Sequence, residues 1–502
     1  MTDLVHIRLE PLGVSLDVKR GTRLQDILFP YGLEFPCGGQ GECKGCRVRV
    51  LSGELPPTED EQSILSPAEI REGWRLACRG TAVRDITLDV GQWETVILSD
   101  SSTFAFTPRA GLGIAIDLGT TTLVAQLVDL ATGRVLGVRT ALNPQAAWGA
   151  DVMSRIQFAM SGNGASRLCR AVRGRLGKMA RELVQGRTKE PLADVVIGGN
   201  TVMHHMFCGI DVEPLSHVPF EPVRDGLEVF AARELGWEWA GDTPVRFLPC
   251  LGGFVGSDIL AGVLAVRMHE SDDLIGLVDL GTNGEIVVGN RERIVCASTA
   301  AGPAFEGGRI SRGMRASTGA ISEVRLTGGQ VSCRVLGGGK PRGICGSGLV
   351  DAAAVGLDLG VIAATGRLPE SNPWELAAPV SITQGDIREL QLAKAAIAAG
   401  LRIVLRRRGA RMEDLAGLHL AGAFGNYVNR ASARRIGLLD FPLEKVRPSG
   451  NTALLGAKVA LCFGDGAEDY AVLRRRIEHI SLAADPEFMD TYVGEMGFPG
   501  RD

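Results

Sequence analysis

Ile114-Ala115-Ile116-Asp117-Leu118-Gly119-Thr120-Thr121-Thr122 is an apolar strand that ends in Asp, turns tightly through Gly and resumes as a second strand. Leu277-Val278-Asp279-Leu280-Gly281-Thr282-Asn283-Gly284-Glu285 repeats the plan about 160 residues later. Backbone N–H groups of such a turn can cradle phosphate oxygens, and the side chains of Thr120, Thr121, Thr122, Thr282 and Asn283 add donors beside Gly119 and Gly281. Asp117 and Asp279 are acidic and suit Mg²⁺ or its waters rather than phosphate itself. Glu285 is placed to orient a hydrolytic water. A single Asp-x-Gly hairpin reads as readily as an ordinary β-turn. Two copies, each opening a meander, point to two related halves closing on one nucleotide. No Gly-x4-Gly-Lys-Ser/Thr loop offers another phosphate site.

Outward from the first hairpin, 112–117, 122–130 and 134–142 read as a three-stranded meander, followed by helices at 151–160 and 166–184. The strand 194–200 comes next, and Phe247-Leu248-Pro249-Cys250 and a helix at 257–268 close that half. From the second hairpin the order recurs: strands at 274–280, 285–289 and 293–298, helices at 347–359 and 386–408, then Leu418 to Gly425 and a helix near 451–463. In Gly422-Ala423-Phe424-Gly425 a strand runs into small residues where a base and ribose can approach the backbone; a helix entry with packing glycines is the plainer alternative.

A chain of 502 residues is too long for one core, so several domains are expected. Its 54 basic and 58 acidic residues give a net charge of −4 and no electrostatic case for nucleic acid or a membrane surface. No run approaches the ~18 apolar residues of a membrane span, and the N-terminus lacks the basic and apolar segments of a leader, so a cytoplasmic protein is expected. Eleven cysteines are too few for a disulfide scaffold, and three fall within ten residues.

Those three lie in a small mixed domain. Val5 to Leu9 and Val14 to Val18 alternate as strands, Thr22 is placed to cap a helix over 24–29, Val48 to Leu51 resumes alternation, 58–70 reads as one acidic helix, and Ile86 to Val90 as a last strand. The order is that of a grasp-like sheet over one helix. Within it, Pro36-Cys37-Gly38-Gly39-Gln40-Gly41-Glu42-Cys43-Lys44-Gly45-Cys46, with Cys78 further on, combines thiolates with glycines that let backbone N–H groups turn inward, as an iron–sulfur cluster requires. Zinc ligation and plain burial are the alternatives. The spacing resembles that of two-iron, two-sulfur ferredoxins of the adrenodoxin-like branch. That resemblance implies a [2Fe-2S] cluster held by Cys37, Cys43, Cys46 and Cys78, and one-electron transfer.

Residues 111–466 resemble the superfamily of acetate and sugar kinases, heat-shock chaperones and actin. The resemblance implies ATP with Mg²⁺, the first phosphate segment at Asp117 to Thr122, the second at Asp279 to Glu285, and the adenosine segment at Gly422 to Gly425. The expected fold class is therefore mixed α/β and α+β: a β-grasp ferredoxin domain followed by a duplicated ribonuclease H-like, actin-like ATPase. The expected boundaries are 1–94 for the ferredoxin-like domain, 95–110 for a linker, 111–268 and 269–466 for the two ATPase halves, and 467–502 for a C-terminal extension.

A ferredoxin ahead of this ATPase resembles the reductive activators of corrinoid proteins, as do Gly198-Gly199-Asn200-Thr201-Val202-Met203-His204-His205-Met206 and Leu420 to Tyr427. This implies ATP-dependent one-electron reduction of inactive cob(II) to cob(I) in a corrinoid protein or corrinoid-dependent methyltransferase. An upstream electron donor is implied as well, and a homodimer is left open. Two alternatives stand beside it: an ATP-dependent activator injecting electrons into a radical dehydratase or ring reductase, and a redox-sensing, chaperone-like ATPase. His204 and His205, being adjacent, suit one packed ring and one facing a cleft rather than joint metal ligands. Cys345 reads as a small packing residue, and Arg406-Arg407-Arg408 as a helix end or a solvated face.

Overall fold

The computed structural model of the chain describes residues 3–10, 14–28, 31, 33, 46–90, 108–149, 151–186, 191–281, 283–314, 316, 319–336, 339–369, 373–462 and 467–500. They fall into two units, Met1–Ala265 with Ala453–Tyr470, and Val266–Thr452 with Ala471–Asp502.

Near the N-terminus a five-stranded sheet has the spatial order Val14–Lys19, Leu4–Glu10, Ile86–Asp89, Arg47–Gly53, Trp74–Leu76. Leu4–Glu10 turns Val5, Ile7 and Leu9 inward and leaves the residues between them outside, the period-two pattern of a strand with one buried face. The helix Leu24–Leu28 buries Leu24, Ile27 and Leu28. This is the expected grasp-like arrangement, with two local corrections. Thr22 does not cap the helix: it begins the short strand Thr22–Arg23, and its hydroxyl donates to the Lys19 carbonyl at 2.7 Å. The acidic segment is two helices, Glu59–Ile64 and Pro67–Arg71, not one. Pro67 has no N–H to continue a helix, and Ser66 starts a new capping box with Glu69 just as Thr58 does with Glu61.

The first unit also holds a six-stranded sheet in the order Val135–Leu142, Thr122–Asp129, Leu112–Leu118, Leu192–Gly199, Pro244–Phe247, Glu228–Ala231. The first three strands are the expected antiparallel meander; Leu192–Gly199 and Pro244–Phe247 then join in parallel. Ile114, Ile116, Leu123, Ala125, Val195 and Ile197 form one core with Leu168, Val172, Leu176 and Ala180 of the helix Gly164–Val184. The helix Thr452–Cys462 belongs here for all but its first residue. A Cβ on Gly456 would lie 1.8 Å from the Ala261 carbonyl oxygen, so two helix backbones meet there with nothing between them.

The second unit repeats the five-strand order as Ile294–Thr299, Gly284–Gly289, Ile275–Leu280, Gly417–Ala421, Val446–Gly450, again an antiparallel meander followed by two parallel strands. Its sixth strand, Ile477–His479, lies on the opposite edge, beside Ile294–Thr299. The helices Gly346–Leu359 and Gln384–Arg408 supply most of the facing core. Arg406 and Arg407 close the end of the latter by pairing with Asp485 while staying exposed, as expected of a basic run at a helix end. Cys345 is buried before the first of these helices without capping it. Among the described residues no helix is long and apolar enough to cross a membrane.

Candidate functional site

At the first hairpin, Leu112–Leu118 and Thr122–Asp129 stay in register up to Leu118 opposite Leu123. The turn closes where the Gly119 N–H donates to the Thr122 carbonyl at 3.1 Å. A Cβ on residue 119 would sit 2.5 Å from that same oxygen, so only glycine allows the turn. The neighbouring strand sets Gly198 opposite Asp117 and Gly199 opposite Leu118, leaving the strand tips free of side chains on that side.

Two asparagines brace this turn. Asn143, fully buried, donates from its side-chain amide to the Gly119 carbonyl at 2.9 Å and from its backbone N–H to the Thr121 carbonyl at 2.9 Å. Asn200 accepts the Met203 N–H at 2.9 Å, capping the helix Thr201–Cys208, and its Nδ2 donates to the Thr120 hydroxyl oxygen at 2.8 Å. Ser257 ties down both backbone groups of Gly199 at 3.1 and 3.0 Å. The carbonyls of Gly119, Thr121 and Thr122 are thus all engaged by the protein, while among the described residues the N–H groups of Thr120 and Thr121 meet no backbone acceptor. A turn with occupied acceptors and spare donors suits an anion.

The second hairpin is built differently. Asp279 stands opposite Glu285, and Glu285 opposite Ser298 on the next strand, so the three line one face of the sheet in a row. Ser298 donates to Glu285 Oε1 at 3.4 Å, and the Glu285 side chain is almost wholly buried. The Gly281 N–H closes this turn on the Asn283 carbonyl at 3.0 Å, and Thr282 lies outside the described residues. Beside it, Gly417–Ala421 runs parallel and leads into the helix Gly422–Tyr427, the helix entry weighed for this segment. Gly422 has φ +80°, and a Cβ there would lie 2.5 Å from Asp279 Oδ1. The bare residue 422 is what lets the Asp279 carboxylate keep its position. Phe424 is buried and stacks on Phe305 with centroids 4.5 Å apart, so its ring anchors the segment in the core. Gly425 packs over Leu420, and of Ala423 only the backbone is described.

In the N-terminal sheet, Arg47 pairs with Leu76 across adjacent strands, which brings Cys46 and Cys78 together at the strand ends. Their sulfurs lie 3.3 Å apart, far beyond the ~2.05 Å of a disulfide. Cys46 is fully buried, and Cys37 and Cys43 lie outside the described residues. Two converging, unbonded thiols fit an iron–sulfur centre's donor chemistry. Cys250 contrasts with them: complete burial pushes its thiol up to about 12, which keeps it protonated and inert.

Asn143 and Ser257 escaped the sequence reading, because their work is done on backbone groups distant in the chain. Asn200 lay in a quoted motif without a role. His204 and His205 are both fully buried; His204 packs edge-on against Phe247 at 4.8 Å, and His205 lines a cavity of about 510 Å³.

Comparison with known proteins extends this picture along the whole chain. Residues 7–83 match a 2Fe-2S iron-sulfur cluster binding domain, 112–271 the RACo middle region, and 273–502 the C-terminal domain of RACo, the ASKHA domain. The corrinoid activation enzyme RamQ of Eubacterium limosum is 35% identical over an alignment covering 96% of this chain and 97% of its own. A [Co(II) methylated amine-specific corrinoid protein] reductase of Methanosarcina barkeri is 28% identical over 77% of each. A solved reductive activator for corrinoid, iron-sulfur protein superposes with a TM-score of 0.69 at 28% identity, covering 99% of both chains. The chain therefore belongs to the RACo family of reductive activators, a 2Fe-2S ferredoxin domain followed by an ASKHA nucleotide-binding domain.

Proposed function

We propose that this chain uses ATP to drive one electron onto the cobalt of a corrinoid protein or corrinoid-dependent methyltransferase, returning inactive cob(II) to cob(I). The observation that carries the reading is the presence, on one chain, of a converging thiol pair in a ferredoxin sheet and of two hairpins that turn through glycine just after an Asp. The names of the relatives support it, since they describe activation or reduction of corrinoid proteins.

A [2Fe-2S] centre held by Cys37, Cys43, Cys46 and Cys78 would supply single electrons taken from an upstream donor. The chain's own residues do the rest. Thr120, Thr121 and Thr122 with Gly119, and Thr282 and Asn283 with Gly281, donate to phosphate oxygens. Asp117 and Asp279 hold Mg²⁺ or its waters, whose oxygen-rich coordination such carboxylates match. Glu285, steadied by Ser298, orients the attacking water. Gly422, Ala423, Phe424 and Gly425 carry the adenosine segment. The side chains that brace the first turn are the amides of Asn143 and Asn200, neither of which can take a proton from a phosphoryl acceptor, and this favours a nucleotide switch over a kinase. ATP promotes the electron's last step only by binding one conformation of the complex better than the other. In this reading 1–94 delivers the electron, 95–110 links it to the ATPase halves 111–268 and 269–466, 467–502 is a C-terminal extension, and the reaction runs in the cytoplasm.

The test mixes chemically reduced protein with a cob(II) methyltransferase, adds Mg-ATP and follows the visible spectrum for cob(I). ATP-dependent cob(I) formation that disappears in Cys78→Ser, together with the cluster spectrum, is the expected result. Reduction that ignores ATP, or that survives loss of the cluster spectrum, would sink the reading.

A further inference from the structure

We infer that Asn200 is a positioning residue that sets the hydrogen-bond polarity of the first phosphate turn, making the Thr120 hydroxyl a committed donor to nucleotide phosphate. The inference rests on the ATPase reading above and adds to it a residue that acts through Thr120.

The argument starts from the two ends of one amide. The Met203 N–H, 2.9 Å away at the start of the helix Thr201–Cys208, needs an acceptor, so Oδ1 must face it. Nδ2 is thereby turned toward Thr120 Oγ1 at 2.8 Å. An amide nitrogen only donates, so the Thr120 oxygen accepts and its own O–H proton is left to point elsewhere. Among the described residues no acceptor takes that proton, and the nearby carbonyls of Gly119, Thr121 and Thr122 are occupied already. The helix cap thus fixes the amide, the amide fixes the hydroxyl, and the hydroxyl is aimed at an incoming oxygen anion. Asn200 is itself held at a strand end whose preceding Gly199 is tied on both backbone groups by Ser257. A Cβ on Gly256 would lie 2.3 Å from the Asn200 Cα, so the backbone around the amide has no slack.

Asp, Ser and Asn cap helices about equally well, yet they treat Thr120 differently. Asn200→Asp keeps the cap but offers the hydroxyl an acceptor, drawing its proton away from the phosphate. Asn200→Ser keeps the cap and is too short to reach Thr120. The experiment measures equilibrium binding of Mg-ATP to the full-length chain, with thermal unfolding and the visible cluster spectrum as controls. Variants are Asn200→Asp, Asn200→Ser, Thr120→Val and the double change Thr120→Val with Asn200→Ser.

Affinity is expected to fall about 10- to 100-fold in Asn200→Asp, the size of one hydrogen bond to a charged group, and less in Asn200→Ser, with little change in unfolding temperature. In the Thr120→Val background, Asn200→Ser, which adds no charge, should add almost nothing. Wild-type affinity in Asn200→Asp, or an Asn200→Ser loss that simply adds to that of Thr120→Val, overturns the inference while leaving the ATPase reading intact. Absence of Mg-ATP binding by the unaltered chain overturns both.

Discussion

The two Asp-x-Gly hairpins share a sequence plan and differ in what holds them. Asp117 to Thr122 is braced from outside by side-chain amides, Asn143 on the Gly119 carbonyl and Asn200 on Thr120. Asp279 to Glu285 has its carboxylates in line with Ser298 and relies on a missing side chain, Gly422, to make room for Asp279. The first turn is therefore rich in oriented donors and the second in oriented acceptors. Within each half the strand order fixes where the turn stands, while neighbouring segments decide its polarity.

The halves also treat buried carboxylates differently. Asp194 in the first unit is neutralised by Arg246, which grips both of its oxygens, and by Arg109 at 2.6 Å. Asp351 in the second unit has the Val324 N–H at 3.3 Å and the Ser432 hydroxyl, and burial raises its pKa to about 6. Asp194 is thus matched by cations, whereas Asp351 is a buried acid without a paired cation among the described residues, and its charge state should follow pH.

The largest expected effects test whether both turns are used. Asp117→Ala and Asp279→Ala should each slow the ATP-dependent step roughly 10²- to 10³-fold, measured as cob(I) formation, with the cluster spectrum unchanged. If only one of them matters, the two turns do not serve one nucleotide. Gly422→Ala should cost about 1–2 kcal/mol for its left-handed backbone and slow ATP hydrolysis by displacing Asp279; normal hydrolysis with a lowered unfolding temperature would separate strain from function.

Asp351→Asn tests the contrast of the buried acids. Because the folded-state pKa lies above the unfolded value, the stabilising contribution of the protonated Asp351 is complete below about pH 4 and is lost as pH rises through about 6. Wild type should therefore lose on the order of 2–3 kcal/mol relative to Asp351→Asn between those values, read from denaturant titrations at pH 4, 5, 6 and 7. Parallel curves would refute the assignment. The smallest effect belongs to Ser298→Ala: a 3.4 Å hydrogen bond lost should lower kcat for ATP hydrolysis a few-fold and leave KM alone.

Much of this architecture was legible from local pattern. The alternation of Val5, Ile7 and Leu9, the two Asp-x-Gly turns and the recurring strand order all follow from period, turn chemistry and side-chain polarity, which neighbouring residues decide. The acidic segment at 58–70 was misread because two capping boxes in succession look like one helix until Pro67 is given its full weight as a break. The braces were invisible for another reason. Asn143 is 24 residues from Gly119 and Asn200 is 80 from Thr120, distances over which only folding decides what an amide meets. The thiol pair is intermediate: the spacing suggested Cys78, but the pairing of Arg47 with Leu76 is what carries it to Cys46.

The sequence by itself determined the materials: thiolates in a glycine-rich loop, two acidic strand tips and glycines that permit tight turns, since each depends on residue type at short range. Only the tertiary structure decided their polarity and company. Whether a turn is left with donors or acceptors depends on which of its groups other segments have already satisfied, and those segments arrive from distant parts of the chain.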